Sequence, residues 1–219
     1  MEPTTVTAQT SDQTSFMHRV YAWMAGGLLV TGLVAYGVAA SPSILSLVFA
    51  NTLVFYGLLI AELGIVFYLS FKAHSLSTDV ASVIFFAYAA LNGVTLSLIF
   101  LVYTASSVTT AFLTTAGTFG LMSLYGSRTK KDLTSMGSLA LMGLLGIILA
   151  SIVNLFLGND SLQLTISVLG IIIFTALTAY DAQKIKQMRV QPVIGALHLY
   201  LDFINIFLYI LQLGGKRRN

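Results

Sequence analysis

Seven stretches of this chain stay apolar for about twenty residues at a time, and no other feature constrains its fold so strongly. Residues 20–40, 49–71, 80–103, 106–126, 138–157, 162–181 and 193–213 are each long enough, as a helix, to cross about 30 Å of hydrocarbon. Inside a bilayer every backbone N–H and C=O must find its partner within the protein, so the spans are expected to be helices and no embedded strand is expected. Composition agrees: 57% of residues are hydrophobic and 9% charged, where a soluble domain has about a quarter charged. The fold class is therefore all-α and polytopic, with seven transmembrane helices.

The breaks between runs are short: Ser41-Pro42, then 72–79, 103–107, 127–137, 158–161 and 184–192. Short connections make sequential helices antiparallel neighbours, so residues 17–219 read as one transmembrane domain. Residues 1–16 are polar, rich in Thr, Ser and Gln, and lack the basic region and apolar core of a signal peptide; they read as a flexible cytoplasmic segment. The chain has no cysteine, which excludes disulfides and thiolate metal sites.

The net charge of +3 is a topology signal rather than a nucleic-acid footprint, because the basic residues fall in the breaks. Arg19, Lys72, Arg128, Lys130, Lys131, Lys184, Lys186 and Arg189 occupy the N-terminal segment and the second, fourth and sixth connections, and the first, third and fifth carry none. That asymmetry puts the N-terminus in the cytoplasm. Lys216, Arg217 and Arg218 then fall outside after seven full spans, unless segment 193–213 is re-entrant; seven spans are the expectation.

Within the apolar runs stand three acids and no Lys or Arg: Glu62, Asp181 and Asp202. An ionised carboxylate at the bilayer centre costs about 2.5–3.5 kcal/mol even on insertion scales. Asp181 and Asp202 are each about ten residues from the turn at Gln191-Pro192, so antiparallel helices bring them to similar depth. If they meet, their titration is coupled and a pH switch needs no histidine. Gly195, His198, Asp202, Asn205, Tyr209 and Gln212 recur at spacings of three and four, which gives the last segment one polar stripe. Thr175 and Thr178 lead to Asp181, and Tyr88, Asn92 and Thr95 form a shorter stripe. Carboxylate, amide and hydroxyl oxygens without thiols suit a hard cation such as calcium better than zinc or copper.

The bland readings stand beside these. Thr, Ser and Asn in membrane helices commonly serve as packing and hydrogen-bond glue, and Gly143, Gly146 with Ala150, and Ala116 with Gly120 have the spacing of close helix contacts. Glu62 can snorkel or pair with Asn92. No phosphate loop, nucleophile motif or His-Glu-x-x-His spacing is present, so neither active pumping nor an enzyme is expected.

The run Gly195-Ala196-Leu197-His198-Leu199-Tyr200-Leu201-Asp202-Phe203-Ile204-Asn205-Ile206-Phe207, with Tyr180-Asp181-Ala182-Gln183, resembles the paired signature of the Bax-inhibitor-type (TMBIM) family. Ser123-Leu124-Tyr125-Gly126 and the basic residues after it are similar to bacterial inner-membrane members. The resemblance implies a last helix central among six others and a pH-sensitive passive calcium leak, with Asp181 and Asp202 as sensor and gate and as the candidate calcium contacts. It adds no cofactor. His198, Asn205, Glu62, Asn92 and Tyr209 are then candidates for pore lining or support. An alternative reading is an interaction protein that modulates a membrane-bound AAA protease, with residues 1–16 as the handle. Two departures are visible: residues 51–71 hold no basic latch and offer Glu62 instead, and the link from Asp181 to Asp202 is short.

Overall fold

The computed structural model describes residues 3–72, 75–188 and 191–218, the side chains of 3–12 and 188 excepted. Nine helices account for almost all of them: α1 (Pro3–Ala39), α2 (Pro42–Phe49), α3 (Thr52–Lys72), α4 (Thr78–Leu96), α5 (Leu98–Val102), α6 (Ala105–Arg128), α7 (Thr134–Leu157), α8 (Asp160–Met188) and α9 (Pro192–Gly214). Among the described residues there is no strand, only an isolated antiparallel bridge between Tyr103 and Arg217. The segment expected to be flexible, 1–16, lies mostly outside the described side chains.

Local chemistry sets the helix ends. Thr104 takes the Ser107 N–H on its hydroxyl at the start of α6, and Ser77 does the same for Val80 at α4. Gly158 stops α7 in the left-handed region, φ 59°, where a side chain would be strained. Three boundaries differ from the sequence reading. Ser41-Pro42, read as a break, opens α2, because proline at the first helical position is pre-set for a helix. The third apolar run is divided at Ser97, whose hydroxyl turns back to the Val94 carbonyl. The sixth continues to Met188, about two turns past Asp181, and carries Lys184 and Lys186 on helix rather than loop.

Among the described residues six helical stretches are long and apolar enough to cross a membrane: Gln13–Ala39, Thr52–Lys72, Thr78–Val102, Thr134–Leu157, Asp160–Gln187 and Pro192–Gly214. The seventh expected span, α6, is long enough at 24 residues but is diluted by threonines such as Thr109, Thr110, Thr114, Thr115 and Thr118. Burial separates the spans sharply. In α3 only 6% of the most apolar window is buried, with Leu53 and Phe71 more than four-fifths exposed, whereas in α9 the share is 67%. A helix apolar on every side and open on nearly all of them needs lipid around it.

The described chain falls into two compact units, Met1–Val102 with Arg189–Tyr200, and Tyr103–Met188 with Leu201–Asn219. In the first, α4 packs along α1 and α3. Gly27 makes room there: a Cβ on it would stand 2.5 Å from the Phe85 ring, which meets Tyr200 edge-on at 5.8 Å. In the second, α8 packs between α6 and α7, and the latter part of α9 buries Phe203 against Phe112 and Phe119. Ile206 closes a core with Ala140, Phe174 and Leu177.

Candidate functional site

The register of α8 and α9 follows from their apolar contacts. The Phe174 and Tyr209 rings lie 6.0 Å apart, Leu177 and Ile206 share one buried cluster, and Gln163 Nε2 donates to Gln212 Oε1 at 2.9 Å. The helices are thus antiparallel. Seven residues on from Phe174 and seven back from Tyr209, two turns in each case, stand Asp181 and Asp202. Asp202 is 4% exposed, and its carboxyl interacts electrostatically with that of half-buried Asp181. Among the described residues its Oδ2 has no hydrogen-bond partner. A buried carboxylate oxygen left in this state is costly and calls for an explanation.

The helix around Asp181 is clamped. Gly126 of α6 lets the Ala179 backbone approach so closely that a Cβ there would fall on its carbonyl, and Gly137 of α7 does the same for the Tyr180 ring. Buried Gln183 accepts from Leu133 N at 2.9 Å and donates to the Lys131 carbonyl at 2.7 Å. Lys186 Nζ donates to the Ser127 carbonyl at 2.8 Å. Four separate contacts therefore fix the stretch 179–186 to its neighbours.

The polar stripe of α9 does not form one lining. Asn205 Nδ2 donates to the Leu201 carbonyl of its own helix, the Tyr209 ring covers Gly170, and Gln212 accepts from Gln163 and Ser167. His198 is exposed and belongs to the other unit. Thr178 turns its hydroxyl to the Phe174 carbonyl, while the Thr175 hydroxyl is buried without a partner among the described residues. Helical periodicity groups residues on a face but says nothing of what packs against it, which is why the stripe is divided among partners.

Glu62 and Asn92 come together in the first unit. Thr95 Oγ1 donates to Glu62 Oε1 at 2.9 Å and Asn92 Nδ2 to Oε2 at 3.4 Å. The Tyr200 hydroxyl donates to Asn92 Oδ1 at 3.1 Å, and Thr31 Oγ1 lies 2.6 Å from that hydroxyl. Tyr200, Thr31 and Gln183 were not singled out by the sequence reading. For Thr31 the only hint was a hydroxyl within an apolar run; Tyr200 and Gln183 stood in the quoted signature.

Among the described residues no group of three or more His, Cys, Asp or Glu converges on a metal position. Two carboxylates alone fall short of the six to eight oxygens that calcium takes when held.

Helices long and apolar enough to cross a membrane, with two carboxylates facing each other on the last two, define a polytopic membrane protein with an acidic pair in its interior. The chain belongs to the Bax inhibitor family: the family described as Inhibitor of apoptosis-promoting Bax1 matches residues 13–219. It is 45% identical over 216 residues to the Inner membrane protein YbhL of Escherichia coli K12, covering 93% of this chain and 92% of that protein. It is 44% identical over 220 residues to an uncharacterized protein of Deinococcus radiodurans, covering 95% and 94%. A protein of Borreliella burgdorferi, also uncharacterized, is 43% identical over 215 residues, with 93% of each covered.

Proposed function

We propose that the protein is a passive, pH-sensitive cation leak, with calcium as the ion, in a bacterial inner membrane. One observation carries this reading: a fully buried Asp202 whose Oδ2 is unpartnered, with Asp181 opposite on a clamped helix. Two carboxylates in reach of each other compete for one proton, so their occupancy follows pH. With the proton shared the path is closed; a change in protonation releases Asp202 from Asp181 and opens it. Calcium fits as cargo because the groups along this path are oxygens and a passing ion needs binding weak enough to leave. In this reading α6 is the seventh span, α9 is central among the other six, and the N-terminus is cytoplasmic. The position of the tail supports a full crossing by α9: Lys216 N donates to Ser107 Oγ, and the Lys216 carbonyl accepts from Thr104 N, at the start of α6.

The test is calcium flux into dye-loaded liposomes at several pH values. Asp181→Asn leaves a leak with weakened pH dependence, since Asp181 holds the gate. Asp202→Asn loses flux as well as pH response, since Asp202 stands in the path. Wild-type flux and pH profile in both variants would overturn the proposal.

A further inference from the structure

We infer that the junction of α6, α7 and α8 is a binding site for the headgroup of an anionic phospholipid. Arg128 at the end of α6, Lys130 and Lys131 in the connection, and Lys184 on α8 are all exposed. None of the four has a carboxylate partner among the described residues: Lys184 lies over the Tyr180 ring at 5.3 Å. The one acid of the connection, Asp132, is occupied, its Oδ1 accepting both the Thr134 N–H at 2.9 Å and the Thr134 hydroxyl at 2.6 Å. Exposed cations carried by one connection and the helix bonded to it attract an external anion.

Basic residues at a span end also serve as a topology signal, but that role requires no fixed geometry. Here the geometry is fixed. Gln183, buried at 7% exposure, bonds the connection on both sides of Asp132, through the Lys131 carbonyl and the Leu133 N–H, and Lys186 holds the end of α6 through Ser127. The site lies where the span Thr134–Leu157 begins and the span Asp160–Gln187 ends. Leu121, Leu124 and Leu139 are exposed nearby on α6 and α7, apolar surface that an acyl chain covers and a free phosphate does not. Cationic anchors for a phosphate beside open apolar surface match a phospholipid.

The full chain, purified in a neutral detergent, is offered phosphatidylglycerol or phosphatidylcholine, and retained lipid is counted by native mass spectrometry. Wild type is expected to retain phosphatidylglycerol selectively, and the pair Lys130→Gln with Lys131→Gln to weaken that retention about tenfold. Lys216→Gln, at the far end of α6, is expected to leave it unchanged. Gln183→Met keeps every charge and releases the connection, and should weaken retention about threefold. Three results would overturn the site: wild-type retention in the lysine pair, loss in the lysine pair with full retention in a folded Gln183→Met, or displacement of the lipid by inorganic phosphate. The two lysines are exposed, so their replacement does not threaten the fold and decides the matter if Gln183→Met fails to fold. Because the readout is bound lipid, its failure is distinct from failure of the leak.

Discussion

Glu62 and Asp202 are both buried acids in helices able to cross a membrane, yet their surroundings treat them in opposite ways. Each oxygen of Glu62 receives a donor, Thr95 on one and Asn92 on the other, and Tyr200 and Thr31 extend the chain of hydroxyls behind Asn92. Asp202 has an orphan oxygen and a second acid for a neighbour. A satisfied buried polar network rigidifies a core, whereas an unsatisfied group is retained at a cost in stability that something other than stability must justify. On the proposed reading, the contrast assigns Glu62 to architecture and Asp202 to function.

Four substitutions break or sharpen that contrast. Glu62→Leu should lose about 3 kcal/mol, because it leaves the Asn92 amide and the Thr95 hydroxyl without their acceptor; thermal unfolding in detergent measures this. If Glu62→Leu unfolds no earlier than wild type, the architectural assignment fails. Asp202→Leu should move the other way and gain about 1 kcal/mol, since an apolar side chain of similar size relieves the frustrated oxygen, while the pH response of flux disappears. Tyr200→Phe removes one hydroxyl from the Glu62 network and should cost about 1 kcal/mol with the pH response intact; a lost pH response would mean the two regions are not separable.

The smallest effect concerns Asp132. Hydrogen bonds from the Thr134 hydroxyl and then the Thr134 backbone hold its carboxyl below the usual carboxylate range. A lowered folded-state value means that its contribution is present above the unfolded value and lost as pH falls through the folded one. Stability should therefore slip slightly below about pH 4, and Asp132→Asn should flatten that part of a melting-temperature profile.

What the sequence made legible was whatever depends on position along one helix. Run length and the absence of Lys and Arg announced the spans, and two aspartates equidistant from a turn announced their register. What it concealed depends on partners far away in the chain. The contact between Thr31 and Tyr200 joins residues 169 positions apart, and nothing local marks either as a network member. Small-residue spacing was an equally partial guide: Gly143 meets Ile173, but Gly120 and Gly146 have nothing within 4 Å and line open surface. The α6 span was read by length, and its threonines place it at the margin of apolarity where sequence no longer discriminates.

The bridge between the tail and the third connection bears on how the chain enters its membrane. Lys216 and Arg217 are fastened beside Thr104 and Tyr103, at the start of α6, while Arg128, Lys130 and Lys131 lie at its end, about 36 Å away for 24 residues. With α6 as a full span, as proposed above, one of these two basic groups has to be carried through the bilayer whichever face is inside. The transmembrane voltage acts on each charge moved by about 2.3 kcal/mol per 100 mV. With the α6–α7 connection held inside, that voltage opposes export of the tail, so α9 should be the last and slowest segment to insert, and de-energising the cell during synthesis should speed its completion.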